Sequence, residues 1–306
     1  MWFWFAVIAL LCWSGSDLFS KIGCQDEKDK YSHLKMVTAV GIVMGLHAAY
    51  EIFIGGVEIN LSIILTYLPI SALYIVSMTI GYIGLRYIEL SISSPICNSS
   101  GAIVAVLTII TVGIGDEVPP VALVAVALVC IGVIALGITE SNEDEELRRA
   151  RQDESNRHYA KSWLAIALPV IYCLLDALGT FADSRVLEKL GEELADACNV
   201  AYELTFLVMG IACAVYVLGI KKQRLIPKQE GPKYLGAVCE TIGQFFYIYA
   251  LADTEHVAFA APIISSYCVA SVIWGRIFLK EKLSKKHYAC IALVVAGIVI
   301  MGILDI

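Results

Sequence analysis

Long apolar runs dominate this chain of 306 residues and limit what it can fold into. Each run is about 18 to 22 residues long, the length that a helix needs to cross roughly 30 Å of hydrocarbon. The sequence therefore predicts an all-α integral membrane protein with ten transmembrane helices. The predicted helices cover residues 2–22, 34–54, 61–85, 92–114, 118–138, 162–181, 197–220, 234–251, 257–278 and 288–304.

Composition excludes several other classes of protein. Hydrophobic residues make up 58% of the chain and charged residues only 17%, which is more apolar than a soluble domain. The net charge of −7 argues against a nucleic-acid partner. The ten cysteines form no CxxC pair and fall mostly in apolar runs, so we expect reduced, buried thiols and no metal. No HExxH or GxxxxGK[ST] sequence occurs, so we expect no enzyme, no cofactor and no ATP site.

The chain repeats itself at about half its length. Residues 95–138 and 262–303 have similar sequences, which is typical of a transporter built from two halves. Five helices per half is an odd number, so the second half is predicted to be inverted relative to the first. The matched residues, at shifts of 165 to 167, are Pro95 with Pro262, Asp116 with Glu281, Gly132 with Gly297 and Gly137 with Gly302.

The Lys and Arg residues predict the orientation. Of the 22 such residues, only Arg185 and Lys189 lie in even-numbered connections, so the odd-numbered connections are predicted to be cytoplasmic and both termini outside. The hairpin at Asp116 has no Lys or Arg, whereas residues 280–286 contain four, as inverted halves require. The predicted organisation is a first repeat at 1–138, a charged cytoplasmic linker at 139–161 and a second repeat at 162–306.

Ionisable residues inside the predicted helices are the first functional candidates, because hydrocarbon makes them costly by at least a few kcal/mol. Carboxyl groups predominate and no Lys or Arg lies comparably deep, so protons or a cationic substrate must neutralise them. The candidates for proton coupling are Asp176, Glu240, Asp17, Glu51 and His47.

Helical spacing adds residues that share a face with these carboxyl groups. Tyr172 lies four residues before Asp176, and Glu240, Gln244 and Tyr247 are spaced i, i+4, i+7. Carboxylates among aromatic rings can hold an organic cation by charge and by cation–π attraction. The predicted substrate-binding residues are Asp176, Glu240, Glu203, Tyr172, Tyr202, Gln244, Tyr247, Asn98, Tyr267, Trp274 and Trp13.

Each ionisable candidate also has a structural interpretation. Asp17 lies four residues before Lys21, so the two could form a local ion pair. His47 could be a hydrogen-bonded interior histidine. Asp176 and Glu240 could be protonated or hydrogen-bonded structural carboxyl groups.

Two stretches carry a resemblance to a known family. PICNSSGAIVAVLTIITVGIGDEVPPVALVAVALVCIGVIALGI and PIISSYCVASVIWGRIFLKEKLSKKHYACIALVVAGIVIMGI resemble the two EamA-type halves of the drug/metabolite transporter superfamily. The family's Gly-Glu hairpin is Gly115-Asp116 in the first half and Lys280-Glu281 in the second. The resemblance implies ten helices, a central cavity lined by helices 1 to 4 and 6 to 9, and helices 5 and 10 as peripheral support.

These features together predict a secondary transporter in the cell membrane that works by alternating access. Its substrate is expected to be a small polar organic molecule such as a metabolite, an amino acid or an organic amine, with a proton as the candidate coupling ion. The expected partners are this substrate and the lipid bilayer, and the protein is expected to be a monomer or a homodimer. The alternative is a membrane-embedded ligand sensor or scaffold that does not transport.

Overall fold

The fold is all-helical over the part of the chain that the computed structural model describes, residues 1–25, 29–87, 90–113, 120–141, 163–253, 255–278 and 284–304. The paired hairpin residues Asp116 and Glu281, and most of the predicted linker, lie outside these ranges. The helices are α1 (Trp2–Cys24), α2 (Ser32–Tyr50), α3 (Leu61–Tyr87), α4 (Leu90–Asn98), α5 (Ser100–Val112), α6 (Pro120–Ser141), α7 (Trp163–Leu190), α8 (Ala195–Ala214), α9 (Pro227–Ala252), α10 (Val257–Ser265), α11 (Tyr267–Phe278) and α12 (Lys285–Leu304).

Short irregular turns extend some of these helices. A π-helical turn, Glu51–Gly55, continues α2, and another, Val215–Ile220, continues α8. Gly191 ends α7 with a φ of 84°, and its N–H donates to Leu187 O at 2.8 Å. Only glycine adopts this backbone conformation without strain, so its position fixes where α7 stops.

Seven helical stretches within the described residues are long and apolar enough to cross a membrane. Their outer surfaces carry large exposed apolar side chains, such as Phe53 (83% exposed) and Val208 (68%). The buried positions, by contrast, include many Ser, Thr and carboxyl side chains. An outer surface of apolar side chains, with the polar side chains placed in the interior, is expected of a protein surrounded by lipid. The seven stretches are Trp2–Cys24, Ser32–Gly55, Leu61–Tyr87, Ala167–Leu190, Ala195–Ile220, Pro227–Ala252 and Phe259–Phe278.

Two of the predicted helices are broken. Residues 92–114 were expected to form one helix, but α4 ends and α5 begins around Ser99. Residues 257–278 divide in the same way at Ser266, whose N–H donates to the carbonyls of both Pro262 and Ile263 at 3.1 Å. Ser266 Oγ also donates to Ile263 O at 2.5 Å, and this side-chain bond competes with the regular helical pattern. Each break lies four residues after one of the paired prolines.

Helices α2 and α8 cross at two glycines. A Cβ atom added to Gly41 would lie 2.5 Å from Phe206 O, and one added to Gly210 would lie 3.3 Å from Val37 O. Each glycine thus faces the carbonyl that lies four residues before the other glycine. The two backbones touch directly, which is how small residues bring membrane helices together.

Helices α6 and α12 cross in a similar reciprocal way. A Cβ atom on Gly132 would lie 3.2 Å from Cys290 O, and one on Gly297 would lie 2.7 Å from Ala125 O. Each glycine faces the carbonyl seven residues before the other. These two glycines are also a matched pair of the sequence repeat.

Three connections meet at one end of the bundle. Arg86 Nη1, at the end of α3, donates to Asp29 O between α1 and α2 at 2.8 Å. Lys35 Nζ, in the first turn of α2, donates to Arg224 O between α8 and α9 at 3.2 Å. Three of the odd-numbered connections, those at Asp29, Arg86 and Arg224, are therefore close together in space.

Candidate functional site

A polar cavity lies among the buried faces of α1, α3, α4 and α7 to α11. It encloses about 890 Å³, including space open to solvent. Its lining contains three carboxyl groups, several Ser and Thr hydroxyls and a wall of aromatic rings. Its residues come from five long helices and from the shorter helices α4, α10 and α11. A polar cavity at membrane depth must be enclosed by protein.

Serine hydroxyls hold two of the three carboxyl groups. Asp17 Oδ2 accepts hydrogen bonds from Ser94 Oγ at 2.6 Å and from Ser271 Oγ at 3.0 Å. Asp176 Oδ2 accepts one from Ser100 Oγ at 2.7 Å. The three serines belong to the broken helices, α4 and α5 on one side and α11 on the other. Both aspartates are thus connected to the segments that are interrupted in mid-membrane.

Glu240, on α9, is the third carboxyl group of the cavity, and its side chain is near Ser16 of α1. Among the described residues, no Lys, Arg or His forms an ion pair within 4 Å of Asp17, Asp176 or Glu240. Asp17 and Lys21 form no ion pair within 4 Å among the described residues, and Lys21 Nζ donates to Leu85 O at 3.0 Å. The cavity therefore gathers three carboxyl groups without a described counter-ion.

Aromatic rings form much of the cavity wall. The Trp13 ring lies 4.9 Å from the Tyr247 ring and 5.9 Å from the Tyr267 ring, measured between centroids. Glycines on the facing helices allow this close packing, because Trp13 lies against Gly243 and Tyr172 against Gly81. Of the predicted binding residues, those that line the cavity are Trp13, Tyr172, Asp176, Tyr202, Glu240, Gln244, Tyr247 and Tyr267.

Three lining side chains carry buried polar atoms with no hydrogen-bond partner among the described residues. These atoms are Trp13 Nε1, Gln244 Nε2 and the Tyr82 hydroxyl oxygen. Indole and amide N–H groups only donate, and a buried donor without a partner costs about 1–3 kcal/mol. The side chains that line the cavity thus include buried donors without partners as well as carboxyl acceptors.

Other predicted residues form a separate cluster between α2 and α8. His47 Nδ1 lies 2.8 Å from Glu203 Oε1, and His47 Nε2 lies 3.6 Å from Glu51 Oε1. Asn199 Nδ2 also donates to Glu203 Oε1, at 3.3 Å. None of these residues lines the cavity. His47 is hydrogen-bonded inside the protein, in agreement with its structural interpretation.

Asn98 and Trp274 also lie away from the cavity lining. Asn98 Nδ2 donates to Ser94 O at 2.6 Å within α4, so this bond does not cross between helices. Trp274 Nε1 donates to Ser14 Oγ at 3.0 Å and connects α11 to α1. The described bond of Asn98 is thus made to the backbone of its own helix, and that of Trp274 joins two helices.

A buried hydroxyl network joins α3 to α7, and the sequence did not lead to its tyrosines on α3. Tyr74 and Thr180 line the cavity, and Tyr67 and Asp183 continue the network beyond it. The sequence prediction started from ionisable residues inside the predicted helices, and α3 has no acidic residue, so its tyrosines were not assigned. Their spacing of seven residues, which places them on one helix face, was the available signal.

The fold and the cavity define a multi-pass membrane protein with a buried polar site. The model of the EamA-like transporter family matches residues 186–303 of this chain. This family is part of the drug/metabolite transporter superfamily, so the resemblance inferred from the sequence is confirmed.

Comparison with solved structures agrees on the fold. A structure titled "Crystal structure of protein" matches with a TM-score of 0.63 and 12% sequence identity, covering 98% of this chain and 96% of that chain. At this identity the match supports the fold alone. No curated protein sequence matches the chain.

Proposed function

We propose that this protein is a secondary active transporter of small organic amines or other organic cations. The family match supports a membrane transporter of the drug/metabolite type. The observation that supports a cationic substrate is the set of three carboxyl groups, Asp17, Asp176 and Glu240, around one cavity without a described cationic partner. Carboxylates in a membrane interior need a proton or a bound cation to neutralise them.

The aromatic wall favours an organic cation over a metal ion. A cation over a Trp or Tyr face gains about 0.5–2 kcal/mol, most when water is excluded. Within the described residues, no group of three or more His, Cys, Asp and Glu has the arrangement of a metal site. Asp176 and Glu240 are the residues that we assign to the ammonium group.

The unused donors indicate a second recognition element. Trp13 Nε1 and Gln244 Nε2 are buried without a partner in this structure, and each would donate to an oxygen of the substrate once the surrounding side chains move. Trp13 packs on Gly243, so both donors belong to the same side of the cavity, along α9. The substrate class is therefore an amine that also carries a hydroxyl, carbonyl or carboxylate oxygen.

The architecture in this proposal is ten transmembrane helices in two inverted repeats, residues 1–138 and 162–306, joined by the linker 139–161. Shorter apolar helices at Ile96–Thr111, Leu123–Ala135 and Tyr288–Ile300 lie where the fourth, fifth and tenth spans are expected. The reciprocal glycine contacts of α2 with α8 and of α6 with α12 are of the kind that a pseudo-two-fold axis produces. Alternating access would arise from movement of one half against the other.

Flux into proteoliposomes tests the proposal. Choline, ethanolamine and putrescine are the cationic probes, and glycerol and N-acetylethanolamine are neutral controls. We expect saturable uptake of at least one cationic probe and none of the neutral compounds. Binding of these probes without flux would favour the sensor alternative instead.

The variants Asp176→Asn and Glu240→Gln test the residues. We expect both to lose most of the cation uptake, whereas Glu58→Gln, the same change at an exposed position, should leave it unaltered. Full transport with an unchanged pH dependence in both cavity variants would contradict the assignment.

The predicted orientation in the cell membrane has a separate test. A fluorescent protein that matures only in the cytoplasm, fused after Ile306, should stay dark because the C-terminus is expected outside. A bright fusion would overturn the orientation without affecting the proposed substrate.

A further inference from the structure

Asp183 is a fully buried carboxyl group that lies beyond the cavity on α7. Its exposed fraction is 0%. Tyr67 donates a hydrogen bond to Asp183 Oδ1 at 2.5 Å, and the Tyr74 hydroxyl lies 3.5 Å from Oδ2. Both tyrosines belong to α3, so this carboxyl group connects α3 to α7.

The groups that face Asp183 carry no formal positive charge. They are Tyr67 and Tyr74 of α3, Tyr247 of α9 and Cys198 of α8. Asp176, two turns earlier on α7, is a further acidic group. No described Lys, Arg or His forms an ion pair with Asp183. A proton is therefore the simplest species that could neutralise it there.

Hydroxyl groups connect Asp183 to the cavity. The Tyr74 hydroxyl donates to Thr180 Oγ1 at 3.1 Å, and the Tyr247 hydroxyl lies at the same distance from Thr180. The hydroxyls of Tyr74 and Tyr247 also contact each other directly. Tyr74, Thr180 and Tyr247 all line the cavity, so one tyrosine separates the cavity from the carboxyl group of Asp183.

Tyr74 has a single hydroxyl proton for three nearby acceptors, which are Asp183 Oδ2, Thr180 Oγ1 and the Tyr247 oxygen. An ionised Asp183 attracts that proton, because hydrogen bonds to a charged acceptor are the stronger ones. A protonated Asp183 carries its own O–H donor, and Tyr74 is then released toward the cavity. The protonation state of Asp183 thus decides how α3 is bonded to α7 and α9.

We propose that Asp183 is a proton-binding site that couples protonation to the substrate cavity. The coupling part of this inference rests on the proposed transport function, but the proton site itself does not. In this arrangement Asp176 and Glu240 bind the cation, and Asp183 binds the proton outside the cavity. Release of Tyr74 from Asp183 would pass its hydroxyl proton to Thr180 of α7 or Tyr247 of α9, so protonation would change how α3 of the first half is bonded to two helices of the second half.

Infrared spectroscopy tests the site with the proton alone as the ligand. The carbonyl stretching band of protonated carboxyl groups is followed in the purified full-length protein as the pH is varied over its folded range. We expect Asp183→Asn to remove one titrating carboxyl group from the wild-type difference spectrum. A spectrum unchanged in this variant would overturn the proposal.

Asp196 supplies a matched control, because it accepts a hydrogen bond from Tyr249 but is exposed. Asp196→Asn should leave the buried band in place. If Asp183→Asn does not fold, Tyr67→Phe keeps the carboxyl group and removes its donor, so the band of Asp183 should shift in frequency. An unshifted band in Tyr67→Phe would also contradict the proposal.

A second measurement separates coupling from transport. Choline is a useful probe because its charge does not change with pH. In proteoliposomes, Asp183→Asn should keep choline exchange at equal pH on both sides and lose the stimulation by a pH gradient. Gradient-driven uptake that persists in the variant overturns coupling at Asp183. If the wild type shows no amine flux at all, the transport proposal is overturned, and the infrared result alone decides whether Asp183 binds a proton.

Discussion

Two regions of buried carboxyl groups in this protein differ in what faces them. At the end where three of the odd-numbered connections meet, Asp29 and Glu230 face Lys35 and Lys233, and we refer to these four residues as the ion-pair cluster. In the cavity, Asp17, Asp176 and Glu240 face hydroxyls and aromatic rings.

The ion-pair cluster is closed and internally neutral. Lys35 Nζ lies 2.9 Å from Asp29 Oδ2, and Lys233 Nζ lies 3.2 Å from Glu230 Oε2. Lys233 has an exposed fraction of 0%. The cluster joins the α1–α2 connection and the start of α2 to the start of α9. Carboxyl groups with fixed cationic partners hold a conformation, whereas those that face only hydroxyls and rings remain available to a cationic ligand.

The largest expected effect comes from breaking the ion-pair cluster. Lys233→Met leaves Asp29 and Glu230 with one lysine between them, and removing one partner of a buried ion pair costs about 3–5 kcal/mol. We expect a large drop in the temperature of thermal unfolding in detergent. Lys228→Met, at an exposed position on the same helix, should change it little. Equal stability of the two variants would mean that the cluster does not hold the fold.

The second-largest effect is expected in the cavity, where a substitution should weaken substrate binding without lowering stability. Glu240→Gln removes a buried carboxyl group that has no described cationic partner, so the free energy of unfolding should stay equal or rise. The apparent affinity for choline or ethanolamine should fall about 10- to 100-fold, which corresponds to about 1.4–2.7 kcal/mol of lost binding energy. Transport as a function of substrate concentration measures this change. A variant that is destabilised as strongly as Lys233→Met would place Glu240 in the structural group.

The helices and the carboxyl groups of the cavity could be predicted from the sequence, but the ion-pair cluster could not. Apolar length located the helices, since hydrocarbon thickness fixes how long a crossing helix must be. Acidic residues within the runs led to Asp17, Asp176 and Glu240, because a buried charge without a function is costly. Lys35 and Lys233 were counted only as basic residues near helix ends, and nothing in the sequence indicated that they pair with Asp29 and Glu230.

The rotation of each helix was harder to predict. Tyr202 and Glu203 were both assigned to the cavity, but neighbouring residues on a helix point about 100° apart. Tyr202 faces the cavity and Glu203 faces His47. The spacing defines which residues share a face, while the neighbouring helices decide where that face points. Local spacing also suggested an Asp17–Lys21 pair, whereas the serines that bind Asp17 lie far away in the sequence.

The smallest expected effect tests how firmly the cavity carboxyl groups are held. Ser94→Ala and Ser271→Ala each remove one donor to Asp17, and hydrogen bonds between membrane helices contribute about 0.6 kcal/mol on average. We expect a slightly lower unfolding temperature for each variant and an additive effect no larger than about 1.2 kcal/mol for both. Ser77→Ala is the control, because Ser77 is buried and bonds only within its own helix to Tyr74 O. A loss of stability comparable to that of Lys233→Met would show that Asp17 is as firmly fixed as the ion-pair cluster. The contrast between the two regions would then apply to Asp176 and Glu240 alone.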